Sequence, residues 1–344
     1  MKEELLISEG LAQVNNENVM EENTNCIVIS KQIREVFDIC DVPFWGCDYD
    51  KIYPNIASIL PGEAIEFSEL SFENRIACEV VCAAICHQMN WDYLRKAVLE
   101  KTKADKYWLQ GDRLAVISED EVEYMFFNYK KQERIRAKER CEILREVGKM
   151  IKDVGGYQQI FFDNQQKILS IEKIRKSLLK CSAFSKDPKE KKLQLLLQKL
   201  STYKKLHELE VYCKPAIDYH LIRCYLRRGL LYPRTKYAEE FISAPSAQRK
   251  EATVAALRDL CSELLEQISW YTELDICVVN SIEWNIGRSV CTQDTPDCFL
   301  KTDGAVWLKK KYTQCPFWEN CLARQSGKEE LLHINEPEYK GTSY

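Results

Sequence analysis

Apolar positions recur along most of this chain every three to four residues, the period of amphipathic helices. The segment FENRIACEVVCAAICHQ puts Cys78, Cys82 and Cys86 at i, i+4 and i+8, on one helical face. NWDYLRKAVLEKT continues as a second amphipathic piece. SEDEVEYMFFNY opens on a serine followed by acids, as helix N-termini do. RIRAKERCEILREVGKMIKDVGG predicts a long charged helix stopped at Gly155–Gly156. KEKKLQLLLQKLSTY is a further amphipathic stretch, and PAIDYHLIRCYLRRGLL starts behind Pro215 and ends at Gly229. KEATVAALRDLCSELLEQIS and ELDICVVNSIEWNIGRSV complete the set. No alternation is long enough for a sheet, so the pattern predicts an all-α fold.

Between and around the helices the pattern loosens. Residues 1–25 are polar and rich in Asn and Glu, and predict a flexible arm. NCIVISKQIREVF predicts a short extended entry into a helix. VPFWGCDYDKIYPNIASILPGEAIEFSEL predicts an aromatic loop carrying Phe44, Trp45, Tyr49 and Tyr53. The resulting partition is a helical domain over 26–290, a cysteine loop over 291–321 and a tail over 322–344.

Composition supports this picture and narrows the chemistry. Only 12 Gly and 10 Pro in 344 residues fit a helix-rich chain better than a turn-rich one. Against 53 Asp and Glu stand 49 Lys and Arg, a net charge of −4. The chain as a whole thus lacks the basic surplus of a dedicated duplex-DNA binder, though a local basic patch is compatible with it. No apolar run reaches membrane-spanning length, and the N-terminus lacks the pattern of a signal peptide, so a cytoplasmic protein with no membrane partner is expected. In a reducing compartment the 16 cysteines imply buried thiols or metal ligands in place of disulfides. For Cys78, Cys82 and Cys86, core packing is the expected use.

Four cysteines near the C-terminus have a different pattern. Six residues separate Cys291 from Cys298, sixteen separate Cys298 from Cys315, and five separate Cys315 from Cys321. Four thiolates are the usual complement of a [4Fe–4S] cluster. A structural zinc ion is the alternative, although its ligands usually come in pairs two to four residues apart. The outer spacings resemble the cluster loop of endonuclease III-like glycosylases, whose middle spacing is two residues. The inserted stretch here contains KTDGAVWLKKKYTQ, with Lys309, Lys310 and Lys311. In that family the loop presents basic residues to the nucleic-acid backbone, so the resemblance assigns nucleic-acid contact to these three lysines.

Upstream, PAIDYHLIRCYLRRGLLYP resembles the stretch after the hairpin in the helix-hairpin-helix glycosylase superfamily, with Asp218, His220, Arg223, Arg228 and Gly229 on the corresponding places. The resemblance puts the catalytic aspartate at Asp218. Breaking an N-glycosidic bond builds oxocarbenium character on the sugar, which a fixed carboxylate stabilises while it orients the attacking water. Asp218 also stands where a helix N-cap belongs, and both roles can coexist. His220, in the first helical turn, is a candidate substrate contact or a structural hydrogen-bonding group. The chain departs from the superfamily pattern in two ways. No glycine occurs between Lys191 and Asp218, where the hairpin would lie, and Leu200 occupies the position of the lyase-type lysine.

Over about 200 residues the chain is also similar, in order, to the queuosine-5′-phosphate N-glycosylase/hydrolases of queuosine salvage. AKERCEILREVGKMIKDVGG, AFSKDPKEKKLQLLLQKL, IDYHLIRCYLRRGLLYP and LDICVVNSIEWNIG carry that likeness. It implies a two-lobed helical fold, a catalytic Asp218 and a substrate-contacting Lys186. The aromatic segment of that family is represented here by EFSELSF, without a tryptophan. ICHQMNWDYL adds Gln88 and Trp91 as candidate pocket residues, for which a solvated helix end and a core position are the plainer readings. Lys186 can equally be a surface charge in its Lys-rich run.

Three functions therefore stand at the level of sequence. The first is hydrolysis of the N-glycosidic bond of a modified purine-like nucleotide or nucleoside. The second is base excision from DNA or RNA. The third is non-catalytic binding of nucleic acid or of a protein partner.

Overall fold

The computed structural model describes residues 37–39, 49–234 apart from 64 and 188, and 251–327. The arm over 1–25, most of the segment from Cys26, Phe44, Trp45 and the tail beyond 327 lie outside the described residues. Helix dominates, as the apolar period requires. The described residues up to Leu60 and from Ile217 onward form one compact unit, and those between Pro61 and Ala216 form another.

The first unit opens with β1 (Phe37–Ile39) and α1 (Tyr49–Ala57). β1 begins at the last residue of the segment expected to be a short extended entry into a helix, and the rest of that segment lies outside the described residues. The helix α1 falls in the stretch expected to be a loop, and Pro54 lies inside it. A proline there costs about 3 kcal/mol of helix propensity. Tyr49, Tyr53 and Ile56, spaced i, i+4 and i+7, are all buried, and that shared apolar face offsets the penalty.

The second unit follows with α2 (Phe72–Ile85), α3 (Trp91–Ala104), α4 (Gly111–Leu114), α5 (Glu119–Phe126) and α6 (Ala137–Val154). It ends with α7 (Gln158–Phe161), α8 (Ile171–Leu178), α9 (Ser182–Ser185) and α10 (Lys191–Ser201). At its centre is α2, buried at every position from Ile76 to Ile85 and packed against α3, α6 and α10. Cys78 and Cys82 belong to this core, as expected of small thiols, and Cys86 caps the helix end. Ser118 and Glu121 close a capping box at the start of α5, and Gly155 ends α6 with φ +87°. Gly148 lets α6 approach α4 so closely that an added Cβ would lie 2.3 Å from the Ala115 amide nitrogen.

The chain then returns to the first unit as α11 (Tyr219–Arg228), β2 (Leu231–Pro233), α12 (Glu251–Thr272) and α13 (Ile276–Ser289). β2 pairs antiparallel with β1, Asp38 opposite Tyr232, so the all-helical expectation is modified by one two-stranded ribbon. α11 packs on α12 and α13. The cysteine loop follows and ends in α14 (Leu322–Gln325). Among the described residues no helix is long and apolar enough to cross a membrane.

Candidate functional site

Helix α11 organises the first unit. Asp218 is its N-cap and is 6% exposed; Oδ1 accepts the His220 backbone N–H at 2.9 Å. The cap expected from sequence is therefore present. His220 follows on the first turn, its ring 4.2 Å from that of Tyr219 and edge-on to Trp284. Its Nδ1 accepts from Arg223 Nη2 at 2.7 Å. Arg223 also donates to the Gly287 carbonyl at 3.0 Å and, through Nε, to the Cys291 carbonyl at 2.8 Å. Asp218 thus bonds the backbone N–H of His220, and Arg223 ties the His220 ring to the Cys291 carbonyl. Gly287 is required beneath His220, because a Cβ there would lie 2.8 Å from the histidine backbone and Cβ.

One and two turns further along, α11 grips the loop again. Arg227 donates to the carbonyls of Thr292 (2.7 Å) and Gln293 (3.0 Å), and its Nη1 lies 3.6 Å from Cys291 Sγ. Its own carbonyl accepts from Cys321 Sγ at 3.6 Å. Arg228 points into the core. It pairs with Glu283 of α13 at 2.8 Å and stacks on Phe317, 4.2 Å from the ring centroid. Tyr53 donates to the same carboxylate. Burial opposes the Arg228 charge, yet the neighbouring Glu283 carboxylate outweighs it and holds the guanidinium firmly protonated.

The four cysteines of the loop converge. Each thiol is close enough to feel the charge of each of the other three. The loop is pinned by the Cys315 amide donating to the Cys298 carbonyl at 2.8 Å. The inserted residues between Cys298 and Cys315 are ordered by Asp297, which accepts from the backbone of Lys301 and Thr302 at 2.7 Å each. Ala305, Trp307 and Leu308 bury the insertion against the unit. Burial raises the thiol pKa of Cys321 to about 11, and raises those of Cys298 and Cys315. Cys291 goes the other way, below the usual thiol value. The Cys224 thiol hydrogen-bonds to it and, against the effect of burial, Arg227 and Arg223 add positive charge.

These residues can be tested against the two groups considered for them. A single tetrahedral ion with metal–sulfur bonds of about 2.3 Å needs its sulfurs roughly 3.8 Å apart. Among the described residues no group of three or more His, Cys, Asp or Glu side chains is placed to hold a metal ion. A four-iron cluster is a wider body whose usual donor set is four thiolates. The flanking guanidinium groups suit its negative charge. By donor type alone, four thiols, these residues match the ligand set of a [4Fe–4S] cluster.

The remaining candidates are distributed as follows. Lys309, Lys310 and Lys311 are exposed; Lys309 donates to the Lys301 carbonyl and Lys311 to Ser58 Oγ at 2.6 Å. In the second unit, Trp91 starts α3 and donates to Glu63 at 3.3 Å. It belongs to a network in which Arg95 pairs with Glu63 and Glu79, and Tyr203 donates to Glu79. Gln88 is half-buried with φ +54°, a strained setting for a side chain other than glycine. Lys186 is exposed at the end of α9. Among the described residues no hydrogen bond or ion pair joins Lys186, Gln88 and Trp91.

Sequence reasoning passed over Cys224, Arg227 and Glu283. The signal was available in α11, where Arg223, Arg227 and Arg228 interrupt an otherwise apolar helix. Three buried arginines on one helix demand acceptors, and the loop carbonyls and Glu283 supply them.

No family model matches this chain, and no curated protein matches it either.

Proposed function

We propose that the protein hydrolyses the N-glycosidic bond of a modified purine-like, queuosine-type nucleotide or nucleoside, with Asp218 as the catalytic carboxylate. The supporting observation is that Asp218 caps the same helix whose Arg223 bonds both the His220 ring and the Cys291 carbonyl, so one helix carries both motifs the resemblance singled out. In this reading the carboxylate is held in one orientation by the His220 amide. It stabilises positive charge on the sugar as the base departs and takes a proton from the attacking water. His220, oriented by Arg223, is a neighbouring polar contact for substrate. Lys186, Gln88 and Trp91 remain substrate-binding candidates on the sequence resemblance.

In this proposal Cys291, Cys298, Cys315 and Cys321 hold a [4Fe–4S] cluster, and zinc is the alternative occupant. The cluster would supply a rigid clamp for the loop. The residues of α11 connect that clamp to Asp218.

The exposed rim of the loop favours a second reading, excision of a base from DNA or RNA. The exposed Phe299 and half-buried Trp318 have ring centroids 5.1 Å apart, with Arg324 over both and Lys301 over Phe299, and Lys309 and Lys310 are exposed on the same loop. Aromatic rings interleaved with cations suit an extruded or unpaired base.

The deciding experiment offers wild type and Asp218→Asn a queuosine-type nucleotide, its nucleoside, and DNA and RNA oligonucleotides, and measures free base released. Release by wild type with a loss of at least a hundredfold in the variant is expected. An Asp218→Asn protein as fast as wild type would exclude every catalytic version. Release from the oligonucleotides alone would select the second reading.

A further inference from the structure

The four sulfurs of the cysteine loop have unequal surroundings, and α11 supplies two side-chain donors to the first of them. Resting on the cluster reading above, we infer that Arg227, backed by Cys224, sets the reduction potential of that cluster by hydrogen bonding to the Cys291 sulfur. Arg227 is 1% exposed, and its guanidinium is fixed by the Thr292 and Gln293 carbonyls with Nη1 3.6 Å from Cys291 Sγ. Cys224, one turn earlier on the same helix and fully buried, places its thiol against the same sulfur. Cys291 is thus served by two side-chain donors from one rigid helix. Cys298 has the Arg324 side chain for a donor, Cys315 the backbone N–H of Phe317, and Cys321 faces the Arg227 carbonyl.

The consequence is electrostatic. One-electron reduction adds a negative charge to the cluster and its sulfurs, breaks no bond and needs no proton. A buried cation and hydrogen bonds to sulfur stabilise the more negative state, and both effects are strong away from water. Arg227 and Cys224 therefore raise the potential, and their loss lowers it. Arg227 is a tuning residue, not a ligand.

The test compares wild type with Arg227→Gln, Arg227→Lys and Cys224→Ala, all purified without air. Iron and acid-labile sulfide are counted, and the midpoint is read by stepwise dithionite titration followed by electron paramagnetic resonance. Arg227→Gln should shift the one-electron equilibrium at least tenfold toward the oxidised cluster, which is 59 mV. Cys224→Ala should shift it in the same direction, and Arg227→Lys, which keeps the charge, by less than Arg227→Gln. Loaded variants with the wild-type midpoint overturn the inference. Should Arg227→Gln lose the cluster, Cys224→Ala and the wild type decide. An unmoved midpoint in Cys224→Ala, together with iron–sulfur Raman bands of the wild type that do not shift in deuterium oxide, overturns it equally. Wild type lacking iron and sulfide refutes the cluster reading itself, and this inference with it.

Discussion

Gly229 and Leu322 meet so closely that a Cβ on the glycine would lie 2.8 Å from the Cβ of the leucine. The contact joins the end of α11 to the residue after Cys321. Gly229 also has φ +77°, the left-handed conformation of a helix C-cap. Two independent requirements therefore fall on one position, and each excludes a side chain.

Gly229→Ala should lower stability by roughly 2–5 kcal/mol, from about 1–2 kcal/mol of backbone strain and about 1–3 kcal/mol of overpacking. Urea denaturation checks the magnitude. Because the clash falls on the loop, the variant should also expose Cys321 to thiol reagents faster than global unfolding does. A variant as stable as wild type would mean that the contact is slack.

Glu283 is fully buried, paired with Arg228 and bonded by Tyr53. Removing one partner strands a charge in the core. Glu283→Leu or Arg228→Met alone should cost about 3–5 kcal/mol, and the double variant far less than the sum. Thermal unfolding of the four proteins completes the cycle. Additive losses would show that the pair does not act as a unit.

Lys192 lies 1% exposed on α10 and donates to the Ala84 carbonyl at 2.7 Å. Burial lowers its pKa from 10.5 to about 8, with nearby Lys191 and Arg140 acting in the same direction and Cys86 and Cys181 against it. Below pH 8 the amine is charged in both folded and unfolded chains, and burying it is costly. Between pH 8 and 10.5 the folded chain gives up the proton that the unfolded chain keeps. Stability should therefore rise with pH through that window, by on the order of 3 kcal/mol from this group. Denaturation of wild type and Lys192→Met at several pH values from 7.5 to 10 isolates the contribution. Equal slopes for the two proteins would refute it.

The exposed rim of the cysteine loop permits a direct check of nucleic-acid contact. If it binds single strands, Trp318→Ala should weaken binding by about 1–3 kcal/mol with little change in salt dependence. Lys310→Ala should instead reduce the salt slope by about one unit. Fluorescence anisotropy with a labelled oligonucleotide at several salt concentrations measures both. Absence of binding at low salt would remove the base-excision reading.

The apolar period by itself determined the helices that make up most of the described residues, because burial of one face is written directly into residue spacing. Their ends were legible where local chemistry dictates them, as at Ser118, Gly155, Asp218 and Gly229. Helix α1 was not legible, because its stability comes from Tyr49 and Tyr53 stacking against Phe317, more than 250 residues away in the chain. Nor was the β1–β2 ribbon, whose three-residue strands carry no period. The cysteine spacing marked the loop, and the position of Asp218 marked the helix. Only the tertiary structure decided that Arg223 and Arg227 would tie the two together. Hydrogen bonds between side chains and carbonyls more than 60 residues apart depend on how helices pack, and helix packing leaves no local periodic trace in sequence.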